Sequence, residues 1–229
     1  MSSDPHHAHS PDGDPFLYDR DVLLLRCGDP DCLRIAGADE AGRGSLAGPI
    51  VAAAVVLDYA SHPQDRLHGL TDSKQLSRSE RERLYREILK VAAGVSCVAC
   101  AAGSIDRDGL QICNIEVLGQ ALGGVENMYD CALVDGFELK RPELRADAVI
   151  GGDCKSAAVA AASVVAKVVR DRVMWAMAPT YPEYGFESHV GYGTAAHRQA
   201  LIRYGPCSLH RLSFSGVGSA QLDLWDSSS

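Results

Sequence analysis

Two adjacent carboxylates, Asp39 and Glu40, stand where an apolar segment gives way to a turn rich in glycine. Buried carboxylates cost free energy unless a counter-charge accompanies them, and a hard divalent cation suits paired oxygen ligands. The next residues, Gly42, Arg43 and Gly44, offer backbone N–H groups and a guanidinium, which suit a phosphate. The run favours phosphodiester chemistry, although Asp39 and Glu40 taken alone fit a structural cap or turn equally well.

The glycine spacing argues against a dinucleotide-binding turn. That fingerprint needs G-x-G-x-x-G at the start of a helix, whereas Gly42, Gly44 and Gly48 leave a longer gap. Pro49 and the β-branched segment 51–56 then continue the chain as a strand. We therefore predict an antiparallel hairpin, with the glycine turn between its two strands.

Two further acids follow short apolar segments. Asp135 comes after segment 131–134, and Asp153 follows segment 148–150 and two glycines. Each has a structural alternative, because Asp-Gly is a favourable hairpin turn and aspartate is a favourable helix N-cap. If the strands lie side by side, however, their ends would bring all four acids to one edge of a sheet.

The remaining pattern predicts an α/β protein with a mixed sheet. Ser77 and Glu80 form a capping box, which predicts the start of a helix. Further helices are expected at 18–26, 78–93, 114–129, 155–177 and 194–204, and a further strand at 95–102. Residues 1–15 are polar and are predicted to be a disordered tail.

Composition limits the class of protein. The 229 residues are 46% hydrophobic and 23% charged, as expected for one globular domain. We expect a cytoplasmic protein, since no apolar run is long enough to cross a membrane and the N-terminus lacks a signal-peptide core. The net charge of −8 is the wrong sign for holding nucleic acid by bulk electrostatics. Nucleic-acid binding would therefore need local basic clusters or a metal ion.

Eight cysteines are scattered along the chain. Cys97 and Cys100 have C-x-x-C spacing, but they lie in a strand-like segment and a second pair at zinc spacing is missing. Buried free thiols are a better interpretation than a zinc or redox site.

Several long segments together resemble type 2 ribonuclease H, the ribonuclease HII family, in its bacterial form. They are GADEAGRGSLAGPIVAAAVVL, TDSKQLS, LVDGF, GGDCKSAAVAAASVVAKVVRDR, GYGTAAH and YGPCSLHRLSF. The resemblance covers about residues 18–214 and preserves their order. It implies a ribonuclease H-like fold, with a mixed β-sheet flanked by helices and a C-terminal helical region, and a catalytic domain at 16–214.

The resemblance also implies roles for individual residues. Asp39, Glu40, Asp135 and Asp153 would be the catalytic and metal-binding carboxylates, holding two Mg²⁺ or Mn²⁺ ions. Gly42, Arg43, Gly44 and Tyr192 would read the substrate at the ribose 2′-hydroxyl. Candidates for phosphate contacts are Lys74, Lys155, Lys167, Arg170, Arg172, His210 and Arg211, of which Lys74 and Lys155 are preferred because they lie within motif segments.

The implied activity is endonucleolytic hydrolysis of the RNA strand of RNA·DNA hybrids, and cleavage 5′ of single ribonucleotides embedded in duplex DNA. Two-metal-ion catalysis would leave a 3′-hydroxyl and a 5′-phosphate. The alternative is a catalytically idle hybrid-binding module, against which the presence of all four acids argues. A monomer is expected.

The C-terminal segment 215–229 is predicted to be a flexible tail that carries a short motif. Gln221, Leu222, Asp223, Leu224 and Trp225 resemble the pentapeptide by which bacterial proteins bind the replication sliding clamp. An equally simple interpretation is that this apolar segment docks on its own domain.

Overall fold

A computed structural model describes residues 13–218, which form a five-stranded mixed sheet with helices on both faces. In chain order the strands are β1 (Arg34–Ala41), β2 (Ile50–Asp58), β3 (Gly94–Cys100), β4 (Cys131–Asp135) and β5 (Ala146–Val149). Their order across the sheet is β3-β2-β1-β4-β5. The β1–β2 and β2–β3 pairs are antiparallel, and β1–β4 and β4–β5 are parallel. The predictions of a mixed sheet and of a hairpin around the glycine turn are confirmed.

Eight α-helices accompany the sheet in the described part of the chain. They are α1 (Pro15–Cys27), α2 (Arg78–Val91), α3 (Ala102–Asp108), α4 (Leu110–Gly123), α5 (Gly152–Lys155), α6 (Ala157–Met177), α7 (Phe186–His189) and α8 (Ala195–Tyr204). None of the helices within residues 13–218 is both long and apolar enough to cross a membrane.

Successive side chains of the central strand β1 point into two hydrophobic clusters, one on each face of the sheet. Its residue Ile35 faces the cluster built on α6, whereas Ala36 and Ala38 face the cluster built on α4. A Cβ atom on Gly37 would overlap the α6 backbone at Ala158. The small residues of β1 and of the alanine-rich helix α6 therefore allow the helix to lie directly on the sheet.

Helix boundaries follow local capping chemistry. The capping box of Ser77 and Glu80 is present at the start of α2, as predicted. Asp14 caps α1, so this helix begins at Pro15, before the predicted residue 18. Ser156 caps the long helix α6 by accepting a hydrogen bond from the backbone N–H of Val159.

Several sequence interpretations are corrected. The N-cap alternative for Asp153 is wrong, since Asp153 lies in the short helix α5 that precedes the cap. The hairpin alternative for Asp135 is also wrong, because β4 and β5 run parallel. The helix expected at 114–129 is α4, which begins at Leu110 and ends at Gly123. Helix α3, which was not expected, occupies the segment after β3.

The C-terminal helical region packs as a separate cluster beside the glycine turn. Phe186, Leu201 and Val217 are buried there against Leu46 and Ala47. The packed chain thus continues through Val217, beyond the predicted boundary at residue 214. All eight cysteines are free, as expected, but the expectation of burial is wrong for Cys97, which is exposed on β3, and Cys100 is only partly buried. The predicted clamp motif at 221–225 and most of the predicted N-terminal tail lie outside the described residues.

Candidate active site

Three carboxylates meet at one edge of the sheet. Asp39 lies on β1, Asp135 ends the neighbouring parallel strand β4, and Asp153 lies in α5 after β5. One oxygen atom from each residue lies within 4.8 Å of the others. The parallel pairing explains this, since Ala38 pairs with Val134 and the next residues on the two strands are Asp39 and Asp135.

A hydrogen bond fixes the turn that carries Asp153. The backbone N–H of Gly152 donates to Asp135 Oδ1 at 2.7 Å. Gly151 takes a positive φ of 65°, which lets the chain reverse after β5 and begin α5. The end of β4 and the start of α5 are thereby joined, and Asp153 is held next to Asp135.

Glu40 approaches the same edge from the other face of the sheet. Because side chains alternate along a strand, Asp39 faces α6 while Glu40 lies on the α4 side, near Asn114. Glu40 is therefore outside the three-carboxylate set. Its Oε2 atom is buried and makes no hydrogen bond of ordinary geometry within the described chain, although the neighbouring Asn114 side chain lowers the pKa of Glu40. A buried carboxylate oxygen without such a partner suits a bound cation.

The carboxylates raise one another's pKa. Burial raises the pKa of Asp39 well above its ordinary value, and the charges of Glu40 and Asp135 add to the shift. Burial, together with Asp135, raises the pKa of Glu40 to about 7. Burial also raises the pKa of Asp135, and the Gly152 N–H opposes that shift. The set therefore carries more negative charge than the neighbouring Lys74 offsets, and its all-oxygen donors fit a hard divalent cation such as Mg²⁺ or Mn²⁺.

Lys74 and Lys155, the two lysines preferred as phosphate contacts, have different hydrogen-bond and ion-pair partners. Lys74 Nζ is 3.3 Å from Asp153 Oδ2 and 3.7 Å from Asp72 Oδ1. Burial alone would lower the pKa of Lys74, but the two aspartates outweigh it and raise the pKa. The Lys74 side chain is still 73% exposed, so the ammonium can contact a ligand. Lys155 Nζ instead donates to the backbone carbonyl of Ile150 at 2.9 Å.

The glycine turn has a closed inner side and an open outer side. Gly42 is buried at φ +91°, and a Cβ atom there would overlap the Arg170 side chain. Gly44 is exposed, and a Cβ atom there would meet nothing within 4 Å. Arg43 is also exposed; its Nη2 donates to Gln111 Oε1 at 2.9 Å, and its guanidinium lies 4.8 Å from the Phe137 ring centre.

Two fully buried arginines support this turn from behind. Arg211 donates to the backbone carbonyls of Arg43, at 2.9 Å, and Gly48, at 3.0 Å. Arg170 donates to the carbonyls of Ala47 and Pro49 at 3.0 Å each, and to the carbonyl of Val190 at 2.9 Å. Within residues 13–218, neither guanidinium forms an ion pair with a carboxylate.

The prediction of direct phosphate contacts is wrong for Arg170, Arg211 and His210, because all three side chains are buried. Arg172 and Lys167 are engaged in salt bridges with Glu82 and Asp171. Sequence reasoning missed the supporting role of the buried arginines. The available signal was the position of Arg170 within the mainly apolar helix α6, but nothing in the sequence distinguishes it from Lys167 and Arg172 on the same helix.

Tyr192 belongs to the same surface as the turn. The backbone N–H groups of Leu46 and Ala47 donate to the carbonyl of Gly191, at 2.9 and 3.2 Å. The partly buried Tyr192 ring lies 5.1 Å from Lys167 Nζ and 5.2 Å from the guanidinium carbon of Arg170. The structure thus joins Tyr192 to the glycine turn through the backbone, although the two are about 150 residues apart in sequence.

Comparison with known proteins matches most of this chain to one family. The family model described as "Ribonuclease HII" matches residues 36–217. A ribonuclease HII from Xanthobacter autotrophicus is 48% identical over 191 residues, which cover 83% of this chain and 75% of the relative.

Two solved structures show the same fold. Ribonuclease H2 from Pyrococcus horikoshii aligns with a TM-score of 0.69 at 24% identity, covering 84% of this chain and 99% of the other. Ribonuclease HII from Archaeoglobus fulgidus, solved in complex with PCNA, aligns with a TM-score of 0.66 at 26% identity, covering 80% of this chain and 96% of the other.

Proposed function

The chain belongs to the ribonuclease HII family, and we propose that it hydrolyses the RNA strand of RNA·DNA hybrids and cuts 5′ of single ribonucleotides embedded in duplex DNA. The products would be a 3′-hydroxyl and a 5′-phosphate. The observation that carries this proposal is the convergence of Asp39, Asp135 and Asp153 beside an open glycine turn.

We assign the metal site to four carboxylates. Asp39, Asp135 and Asp153 would form its centre, and Glu40 would complete it with the unpartnered Oε2 atom. Hard oxygen donors favour Mg²⁺ or Mn²⁺, and four acids are enough for two such ions. When bound, these ions activate a water nucleophile and stabilise the charge that develops at the scissile phosphate and on the leaving 3′ oxygen.

Substrate recognition would fall to the glycine turn and Tyr192. The open face at Gly44 lets a nucleic-acid backbone approach closely, and the exposed Arg43 guanidinium suits a phosphate. The Tyr192 hydroxyl and the backbone N–H groups of the turn are suited to the ribose 2′-hydroxyl, which distinguishes RNA from DNA. Lys74, beside Asp153, would contact a phosphate next to the cleaved bond.

Buried charge helps an acidic protein bind a polyanion. Arg170 and Arg211 place two positive charges directly behind the turn, whereas the charge of Lys167 beside Tyr192 is offset by its salt bridge to Asp171. These charges are shielded from water, so they attract a phosphate more strongly than surface charges do. They provide local positive charge at the substrate surface of a protein whose net charge is −8.

The idle hybrid-binding module is the weaker alternative. Such a module would keep the glycine turn and Tyr192 but would not need mutually repelling, partly buried carboxylates. Because burial, and after it repulsion between the carboxylates, raises the pKa of Asp39 and Glu40, the site costs stability unless a cation is bound.

For the C-terminal tail we propose binding to the replication sliding clamp through Gln221, Leu222, Leu224 and Trp225. Trp225 and Leu224 offer the large apolar side chains that fill a partner's pocket, and Gln221 offers a hydrogen bond at its rim. The relative from Archaeoglobus fulgidus, solved with PCNA, supports an association of this kind.

The test is cleavage of a DNA duplex that contains one ribonucleotide, with Mg²⁺ or Mn²⁺. We expect a cut 5′ of the ribonucleotide by the wild type and a loss of about 10³-fold or more in Asp39→Asn. Asp147→Asn is the matched control, since Asp147 lies on β5 but pairs with Arg26 outside the site. A wild type that makes no metal-dependent cut at this position would refute the proposal.

A further inference from the structure

Three histidines form a buried cluster beneath the Tyr192 loop. His189 and His197 stack with their ring centres 4.4 Å apart, and His197 and His210 bring their Nε2 atoms to 3.0 Å. All three contact the Phe186 ring. None of them touches the carboxylate set, so the proposed catalytic chemistry does not account for the cluster.

The hydrogen bonds fix which ring nitrogen of His210 and of His197 carries the proton. The backbone N–H of Cys207 donates to His210 Nδ1 at 2.9 Å, so His210 carries its proton on Nε2. That proton is donated to His197 Nε2, which leaves the proton of His197 on Nδ1. His197 Nδ1 in turn donates to the backbone carbonyl of Tyr192 at 2.9 Å.

His189 fixes the other side of the same loop. Its Nδ1 accepts the backbone N–H of Gly191 at 3.2 Å, and its Nε2 donates to the carbonyl of Tyr184 at 2.7 Å. The carbonyl of His189 also accepts the backbone N–H of Tyr192 at 2.9 Å. The N–H of Tyr192 is therefore held by His189, and its C=O accepts both His197 Nδ1 and the backbone N–H of Thr194, the latter at 2.8 Å.

All six ring nitrogens are satisfied only when the three rings are neutral. A second proton on His210 would face the Cys207 N–H, and one on His197 would face the proton of His210. The titratable and charged groups that face the cluster are Tyr184, Tyr192, Arg198 and Cys207. None of them supplies a carboxylate to stabilise an imidazolium. Burial, with His197 adding, lowers the pKa of His210 to about 4, which agrees with a neutral ring.

We propose that His197 is a positioning residue for Tyr192, and that the chain from Cys207 through His210 and His197 thereby sets how well the enzyme distinguishes ribose from deoxyribose beside the cleaved bond. This inference rests on the proposed function, in which Tyr192 reads the sugar at the cleavage point. The same loop is bonded to the glycine turn through Gly191, so a displaced Tyr192 carbonyl would also alter the distance between the tyrosine and the turn.

Two matched variants separate positioning from packing. In His197→Asn, the side-chain amide can replace Nδ1 and keep the bond to Tyr192. In His197→Gln, the amide reaches the Nε2 position instead and keeps the bond to His210. Both substitutions remove a buried ring, so a purely structural role predicts similar losses for the two.

The readout is the ratio of kcat/KM on a duplex with one ribonucleotide to kcat/KM on a long RNA·DNA hybrid. We expect His197→Asn to stay within about threefold of the wild-type ratio and His197→Gln to lower it by about tenfold or more, since small misplacements carry large kinetic costs. In a Tyr192→Ala background the two variants should give equal ratios. Equal ratios with Tyr192 intact would overturn the inference, whereas an inactive wild type would count against the proposed function instead.

A measurement on the wild type covers the case in which the variants do not fold. Nitrogen-15 spectra of the histidine rings at pH 7 should show neutral rings, with His197 protonated on Nδ1 and His189 and His210 protonated on Nε2. A charged His197, or one protonated on Nε2, would contradict the inference directly.

Discussion

The buried guanidinium of Arg170 lies directly behind Gly42, where it takes the space that a Cβ atom would need. Arg170 is fully buried, and its hydrogen bonds within the described residues go to the backbone carbonyls of Ala47, Pro49 and Val190. A single residue of α6 therefore fixes the glycine turn to the loop before Tyr192. The absence of a side chain at Gly42 is a requirement of this packing.

Gly42 and Gly44 should consequently respond differently to substitution by alanine. Gly42→Ala would place a methyl group against Arg170 at a positive φ, and we expect a loss of about 3 kcal/mol or more in the free energy of unfolding. Gly44→Ala meets no protein atom and should change stability by less than about 0.5 kcal/mol.

Chemical denaturation and cleavage assays check both statements. Gly44→Ala should still lower cleavage, by roughly tenfold, because a methyl group would stand between the turn and the substrate backbone. A fully active Gly44→Ala would show that the substrate does not approach the turn at this point.

The metal-free enzyme should become more stable when Asp39 is neutralised. The pKa of Asp39 is higher in the folded protein than in the unfolded chain. The stability that Asp39 contributes is therefore fully present below its unfolded-state pKa and is lost as the pH rises through its folded-state pKa. Asn Oδ1 can still accept the backbone N–H of Glu40, which now donates to Asp39 at 2.7 Å.

At pH 8 without metal, Asp39→Asn should therefore gain about 1–2 kcal/mol in the free energy of unfolding. Addition of Mn²⁺ should raise the Tm of the wild type more than that of the variant, because the cation compensates the repulsion among the carboxylates. An equal Tm increase in both proteins would place the ion elsewhere.

Lys74 and Lys155 form a natural pair of test and control. Lys74→Gln removes the ammonium beside Asp153 and should lower kcat/KM by roughly tenfold. Lys155→Gln removes a bond to the Ile150 carbonyl and should cost less than about threefold. Steady-state kinetics at fixed ionic strength measures both, and equal losses would argue against a role for Lys74 at the scissile phosphate.

His210 should make stability depend on pH in the mildly acidic range. Burial lowers its pKa from 6.5 to about 4, so the stability contributed by the neutral ring is fully present above pH 6.5 and is lost as the pH falls towards 4. The whole effect is at most about 3 kcal/mol.

His210→Gln keeps a donor at the Nε2 position but does not titrate. The stability advantage of the wild type over this variant should shrink between pH 7 and pH 4.5. Denaturation at several pH values checks this. Asp39 and Glu40 also titrate, but both proteins contain them, so their effect on stability cancels in the difference. A difference that does not change with pH would mean that His210 is not held neutral by the fold.

Removal of the C-terminal motif should separate recruitment from catalysis. A chain that lacks Gln221 to Trp225 should cleave a short duplex within about twofold of the full chain but lose binding to a bacterial sliding clamp. Leu222→Ala with Trp225→Ala is the matched substitution at full length. Clamp binding that survives both changes would show that another part of the protein contacts the clamp.

Local signals in the sequence were sufficient for much of the fold. The capping box at Ser77 placed the start of α2, and the β-branched segment after Pro49 identified the second strand of the hairpin. Such signals involve residues three or four positions apart, so they can be read without knowing the fold. The start of α6 could not be placed in this way, because Asp153 and Ser156 are both acceptable N-caps and the choice depends on where β5 ends.

The sequence by itself determined which residues offer the chemistry: four carboxylates, a glycine turn and one tyrosine, each in a recognisable motif. Only the tertiary structure decided how they are arranged. The parallel pairing of β1 with β4 brings Asp39 to Asp135, and strand alternation sends Glu40 to the opposite face. Arg170 and His197 acquire their roles from contacts between distant segments, and no local pattern encodes which backbone carbonyl a buried side chain will reach.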